Sequence, residues 1–242
     1  MDEHSIHALN TLNRQFYAHI ADDFDATRAN AWQGWVQLFD FLKHDFTQRE
    51  RLSIIDIGCG NARFASFMAE QLPYPLEYHG LDNSAELLKH AQNRLAQEKS
   101  INAKLDLHDT ILEPFPKLNA DLVVLFGVLH HIPSYKKRQQ LIRDFAQAVN
   151  PNGWLIFTGW RFYEDEKLRG RITAFPEGIQ PEKNDYILDW RRGAHALRYC
   201  HYVDDAEEAE LIDASGLNHL HTFRADGANQ QMNSYVILQK EG

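Results

Sequence analysis

Apolar side chains recur at helical spacing over residues 5 to 46, in IHALNTLNRQFYAHIADDF and AWQGWVQLFDFLKHDF. Leu9, Leu12 and Phe16 mark one stripe and Trp35, Leu38 and Phe41 the other, so two helices are expected before any strand. From residue 52 short apolar runs alternate with amphipathic segments. LSIIDI, LEYHGLD, AKLDLHD, ADLVVLFG and GWLIFTGW read as strands, with helices over 62–72, 84–97 and 134–149. Strands separated by helices predict right-handed crossovers and a mostly parallel sheet covered on both faces. Residues 160–203 break the pattern with Pro176, Pro181, glycines, charges and aromatics in no clear period. A helix over 205–215 follows, then LNHLHTF and SYVILQK around the polar stretch RADGANQQMN, a predicted antiparallel hairpin that closes the sheet.

Length and composition narrow the class. At 242 residues and 44% hydrophobic content, a single α/β domain with a substantial core is expected. No apolar run approaches the about 18 residues needed to cross a bilayer. The first twenty residues lack a charged, apolar, small-residue signal pattern, so a soluble cytoplasmic protein is expected. Cys59 and Cys200 stand far apart with no metal-ligand spacing, so neither a disulfide framework nor a metal site is expected. A formal net charge of -9 argues against indiscriminate binding to DNA or acidic membranes, while leaving room for a confined basic patch.

The chemistry concentrates at RLSIIDIGCGNARFASFMAEQL. Gly58 and Gly60 let the chain turn tightly after the first strand and let a ligand approach the backbone. A dinucleotide site would want a third glycine or an alanine at position 63, which is arginine. Asp82, 22 residues after Gly60, closes the second strand where a carboxylate can accept from ribose hydroxyls, which suits a dinucleotide or another adenosyl cofactor equally. The plainer expectation for Asp82 is a cap on the next helix, a role open instead to Asn83 or Ser84.

Five segments in strand order, DIGCG, GLDNS, LHDTI, LVVLFGVLHHIP and AVNPNGWLIFTGW, resemble class I S-adenosylmethionine-dependent methyltransferases. The resemblance is firm over about residues 50 to 160 and looser in the hairpin. It implies a Rossmann-like sheet of seven strands, mostly parallel with the last antiparallel. It also implies the cofactor S-adenosyl-L-methionine. Residues 1–50 would form a helical lid, 51–160 the cofactor-binding core, 161–203 a substrate-side insert, and 204–242 the last helix and hairpin. By the same resemblance Asp56, Gly58, Cys59 and Gly60 line the methionine end, Asp82 and Asn83 the ribose, Asp109 and Thr110 the adenine, and Phe126 the rim of the fourth strand. Cys59 needs only to be small there.

The acceptor is less legible. His130 or His131, just past the fourth strand, is a candidate base; the plainer expectation is one histidine packed and the other in solvent. His219 and His221 share a strand face without a third ligand, so a metal there is not expected. The stretch FYAHIADDFDATRANAWQGW resembles the N-terminal segment of eukaryotic-type tRNA wobble-uridine carboxymethyl methyltransferases. This implies that Tyr17 and Arg28 close over the cofactor, with Arg28 on its carboxylate. DWRRGAHALRYCHYVDDAEEAELIDASG resembles the same enzymes and implies Arg198, Tyr199 and His201 near the substrate, with Trp190, Arg191 and Arg192 on its rim. KKR at 136–138 reads as a solvated helix face. Three functions stay open: methyl transfer to an anionic acceptor such as a carboxymethyl uridine in tRNA, in which His130, Arg198 and Arg191 serve the acceptor; transfer to a small molecule; and a cofactor-binding partner subunit without catalysis. An activating subunit is compatible with the first.

Overall fold

The computed structural model describes residues 1–26, 31–190 and 196–242, with side chains described for 1–20 in the first of these stretches. Arg28, Arg191 and Arg192 lie outside the described residues. In chain order the elements are α1 (Glu3–Ala26), α2 (Gln33–Thr47), β1 (Leu52–Ile57), α3 (Arg63–Gln71), β2 (Leu76–Asp82), α4 (Ala85–Leu95), β3 (Ile101–Leu107), β4 (Ala120–Leu125), α5 (Tyr135–Gln147) and β5 (Val149–Trp160). They continue with α6 (Glu166–Arg169), β6 (Ile172–Thr173), β7 (Asp185–Trp190), β8 (Ala196–His201), α7 (Asp205–Ser215), β9 (Asn218–Ala225) and β10 (Asn233–Gln239).

Seven strands form one sheet in the order β3-β2-β1-β4-β5-β10-β9. The first five run parallel, and β10 enters antiparallel between β5 and β9. That arrangement is the expected one. It follows from burial on both faces: LSIIDI and ADLVVL carry apolar side chains without alternation, as strands covered on both sides do. Apolar side chains of α2, α3 and α4 pack on one face, and those of α5 and α7 on the other. Strand order reverses between β1 and β4, so a crevice opens at the carboxyl ends of these two strands.

Residues 160–203, expected to be irregular, hold a second, antiparallel sheet in the order β6-β7-β8. It escaped detection because its pattern is mixed: Ile187, Leu188, Tyr199 and Cys200 are buried, but so are Asp185, Asp189 and His201. Helix α1 packs along this small sheet, with Leu9 against Ile187 and Tyr199.

Three local expectations change. Phe41, read as core, is 46% exposed and stacks on His221. Arg138, read as part of a solvated face, is buried and bonds Glu207 at 2.6 Å and the Ile132 carbonyl at 2.9 Å. His219 and His221 do not converge: Leu220 bulges out of register between them, His219 meets Thr222 Oγ1 at 2.8 Å and His221 stacks on Phe41 and Phe223.

Candidate active site

The crevice is a cavity of about 680 Å³ bounded by α1, the start of α2, the β1 turn, the ends of β2, β3 and β4, and the small sheet. At its floor, Gly58 (φ 68°) and Gly60 (φ 55°) take left-handed conformations. A Cβ at Gly58 would stand 2.2 Å from Val128 Cγ2, so only glycine fits. The amides of Gly58 and Cys59 donate to the Leu81 carbonyl at 2.7 and 3.0 Å, pinning the turn to the end of β2.

Asp82 anchors the same turn. One carboxylate oxygen accepts the Gly60 amide and the other the Ser84 amide, each at 2.8 Å. Burial pushes its pKa up, and these backbone donors oppose the shift. Ser84, not Asp82, caps α4 by accepting from the Leu87 amide. Each Asp82 oxygen keeps a lone pair for a ligand hydroxyl. Asp56 is buried at the end of β1, receives the Tyr78 hydroxyl at 2.7 Å, and is pushed up to about 7 by burial. Cys59 is buried and its thiol is held well above its ordinary pKa by burial, as suits a small turn residue rather than a nucleophile.

Asp109 lies two residues beyond the end of β3, in the loop. Its Oδ1 accepts the amides of Ile111 and Leu112, and its Oδ2 accepts Nδ2 of Asn10 from α1 at 2.8 Å, with Arg14 at 3.8 Å. Asn83, Thr110 and Phe126 line the cavity, Phe126 edge-on to Phe64.

The opposite end is aromatic and cationic. Both His130 and His131 are buried in the 3-10 turn Leu129–His131, so neither stands in solvent. His131 Nδ1 lies 3.0 Å from the Tyr199 carbonyl, which fixes the hydrogen on Nδ1 and leaves Nε2 to accept the Tyr17 hydroxyl at 2.7 Å. Burial, reinforced by the Arg198 charge, lowers its pKa to about 3, so this ring stays neutral with both nitrogens occupied. His130 packs 4.9 Å from Trp160. The Arg198 guanidinium sits 4.7 Å from the Trp160 ring, 5.4 Å from Phe16 and 5.6 Å from Trp190. Among the described residues no carboxylate pairs with it, nor with Arg171, which lines the same end.

Tyr199 and His201, expected beside the substrate, instead point into the protein: Tyr199 donates to Asp185, and His201 lies between Asp185 and Glu207. The residues that sequence reasoning missed are Asn10, Asn13, His108, Trp160 and Arg171, all cavity-lining. His108 and Trp160 stand inside the segments LHDTI and AVNPNGWLIFTGW without having been singled out there, whereas Asn10, Asn13 and Arg171 belong to no local motif and join them only because α1 and the small sheet close over the crevice. His130, His131 and Cys200 also come within 4.8 Å of one another. The committed nitrogens of His131 and the adjoining Arg198 charge leave that cluster better suited to packing than to a cation.

The sequence model of the methyltransferase domain family matches residues 55–155, from β1 through β5. A solved magnesium protoporphyrin IX methyltransferase from Synechocystis, with S-adenosylhomocysteine bound, shares this fold over 96% of this chain and 99% of that one, with a TM-score of 0.67 at 14% identity. This chain is a class I S-adenosylmethionine-dependent methyltransferase. Its cofactor is S-adenosyl-L-methionine, and the fit is visible in the protein itself: the turn has no room for a Cβ at Gly58, and cavity-lining Asn10 and His108 each carry a buried polar atom without a partner. Among relatives of this methyltransferase, the carboxy-S-adenosyl-L-methionine synthase of Trichodesmium erythraeum is 28% identical over 70% of this chain and 67% of its own. The tRNA (carboxymethyluridine(34)-5-O)-methyltransferase of Arabidopsis thaliana is 24% identical over 72% of this chain, which spans 37% of that protein.

Proposed function

We propose that this methyltransferase esterifies an anionic acceptor held by Arg198, and that the acceptor is a carboxymethyl group on a wobble uridine of tRNA. The observation that carries the reading is the Arg198 guanidinium, set among three aromatic rings and facing the cavity without a carboxylate partner among the described residues. A planar guanidinium there matches a carboxylate in two parallel hydrogen bonds, and the neighbouring indoles offer a stacking face to a base. Arg171 adds a second positive charge. The relatives that act on carboxymethyluridine supply the chemical class.

Bound S-adenosyl-L-methionine supplies an electrophilic methyl on a sulfonium. Transfer of that methyl to a carboxylate oxygen oriented by Arg198 would give a methyl ester and S-adenosylhomocysteine, with Asp56, Gly58, Cys59 and Gly60 holding the methionine end. The acceptor is ionised at neutral pH, so no base is required. That accords with a neutral His131 whose nitrogens are both committed. The work of the protein is to align and to exclude water: Arg198 orients the carboxylate, His130 and Trp160 wall the path, and Tyr17 with His131 closes α1 over it.

In this reading Asp56, Gly58, Cys59 and Gly60 hold the methionine end, and Asp82 and Asn83 the ribose. Asp56 then makes cofactor binding pH-dependent. With its carboxyl near 7 in the free protein, a cationic ligand is favoured only after a proton is lost. Affinity for S-adenosyl-L-methionine is expected to fall up to about tenfold per pH unit below about pH 7. Calorimetric titration from about pH 5 to about pH 8 reads this slope, and Asp56→Asn should flatten it.

The acceptor is tested by transferring a radiolabelled methyl group into a whole-cell extract, then separating tRNA, protein and small-molecule pools. Ribonuclease-sensitive, alkali-labile label supports the tRNA methyl ester. Label confined to small molecules favours the second reading, a small-molecule O- or N-methyltransferase. The net charge of -9 and the enclosed aromatic cavity speak for that alternative.

A further inference from the structure

The loop after β3 contains an inconsistency with the role that the family resemblance implies for Asp109. A carboxylate that reads adenine directly needs a lone pair turned to the base, but Oδ1 of Asp109 already accepts two backbone amides and Oδ2 is shared with Asn10, itself a cavity-lining residue. Oδ1 holds the turn through the amides of Ile111 and Leu112, and Oδ2 takes the Asn10 amide at 2.8 Å. Asn10 is 1% exposed, and an ionised carboxylate only accepts, so the Asn10 NH₂ must face Asp109 and Oδ1 must face away from it. Asn10 Oδ1 is buried and has no hydrogen-bond partner. Next to Asp109 in the chain, His108 repeats the arrangement. In the neutral tautomer that turns Nδ1–H toward Glu113 Oε2, 3.3 Å away, Nε2 is an acceptor, and it is likewise buried without a partner. Both side chains line the cavity. A buried acceptor left unmatched costs free energy unless a ligand supplies the donor. Two such acceptors at one end of a cavity complement a group with two N–H hydrogens and no lone pair to offer.

We propose that α1 reads the base of the cofactor: Asn10 Oδ1, aimed by Asp109, accepts a hydrogen bond from the exocyclic amino group of adenine, with His108 Nε2 as the second acceptor. Asp109 is the positioning residue. The inference rests on S-adenosyl-L-methionine occupying this cavity and not on the identity of the acceptor. It makes the N-terminal helix part of the cofactor site, so base recognition and closure of the lid are one event.

Nucleobase discrimination tests it. The full-length protein is titrated with S-adenosylhomocysteine, S-inosylhomocysteine, in which a carbonyl replaces the amino group, and the N6,N6-dimethyl adenosyl analogue. Expected is at least about 30-fold tighter binding of the adenosyl compound than of either analogue, because a site built to bond an N–H rejects a ligand that lacks it. Asn10→Ala should cut the adenosyl-over-inosyl ratio roughly tenfold, an effect that loss of packing alone would not produce, since packing does not sense the edge of the base. Equal binding of the three ligands by the unmodified protein overturns the proposal without any variant. A preserved ratio in Asn10→Ala also overturns it and returns the reading of adenine to Asp109. These titrations involve no methyl acceptor, so a failure of the tRNA reading leaves them unaffected.

Discussion

Arg198→Leu is expected to lower kcat/KM for the anionic acceptor by about 100-fold or more while changing the affinity for S-adenosylhomocysteine by less than about threefold. The magnitude comes from the surroundings. A half-buried guanidinium with aromatic rings on three sides and no carboxylate nearby among the described residues is ready to bind an anion, since little of its binding capacity is spent inside the protein. Truncating one partner of a desolvated charge pair typically costs about 2–5 kcal/mol. Leucine keeps apolar contact with Phe16, Trp160 and Trp190, so the loss isolates the charge. Arg198→Lys should recover little, because an ammonium neither stacks on indole rings nor pairs with a carboxylate through two parallel bonds. Steady-state kinetics on the identified acceptor together with cofactor titration separates the two affinities. A parallel loss of cofactor affinity would place Arg198 at the methionine end instead.

The second large effect concerns stability. Glu207→Ala is expected to destabilise the protein by about 3–5 kcal/mol, measured by urea unfolding at neutral pH. Glu207 is one link in a buried chain of charges. Arg138 Nε of α5 bonds one of its oxygens at 2.6 Å, and His201 Nε2 of β8 meets the other at 2.7 Å. His201 Nδ1 in turn meets Asp185 of β7 at 2.7 Å, and the Tyr199 hydroxyl bonds the same carboxylate. Burial acts to raise the Glu207 pKa, but the His201 bond and the Arg138 charge outweigh it and hold the carboxyl below its ordinary value. A lowered carboxylate pKa contributes stability that is present above the unfolded pKa and lost as pH falls through the folded one. The gap between the wild-type protein and Glu207→Gln should therefore narrow on acidification. Removing Glu207 leaves Arg138 and His201 buried with a partner missing, and undocks the small sheet from α5 and α7. The acceptor end, built from that sheet, should loosen with it and raise the KM for acceptor.

The glycine-turn half of the cavity was legible because it is local. LSIIDI followed by GCG states a buried strand and a turn with no room for a Cβ at Gly58, and Asp82 stands where the next strand must end. Each of these residues is placed by neighbours a few positions away, or by a crossover of fixed hand. The aromatic and cationic half was legible only as composition. Arg198 was singled out from an arginine-aromatic run, and the structure does bring it to the cavity, but its companions Tyr199 and His201 turn the other way because side chains alternate along β8. Arg138 looked solvent-exposed in a run of three cations, yet its place one turn into α5 faces α7, where Glu207 waits.

Sequence alone determined the order of strands and helices, the glycine turn and the carboxylate that anchors it, since periodicity and backbone sterics act over a few residues. Tertiary structure decided which polar groups meet across long separations: Asn10 with Asp109, Tyr17 with His131, and Arg198 with Phe16 and Trp160. Those pairings depend on how α1 and the small sheet dock on the crevice. Docking is set by the shape of buried apolar faces, such as Leu9 against Ile187 and Tyr199, which no spacing along one segment encodes.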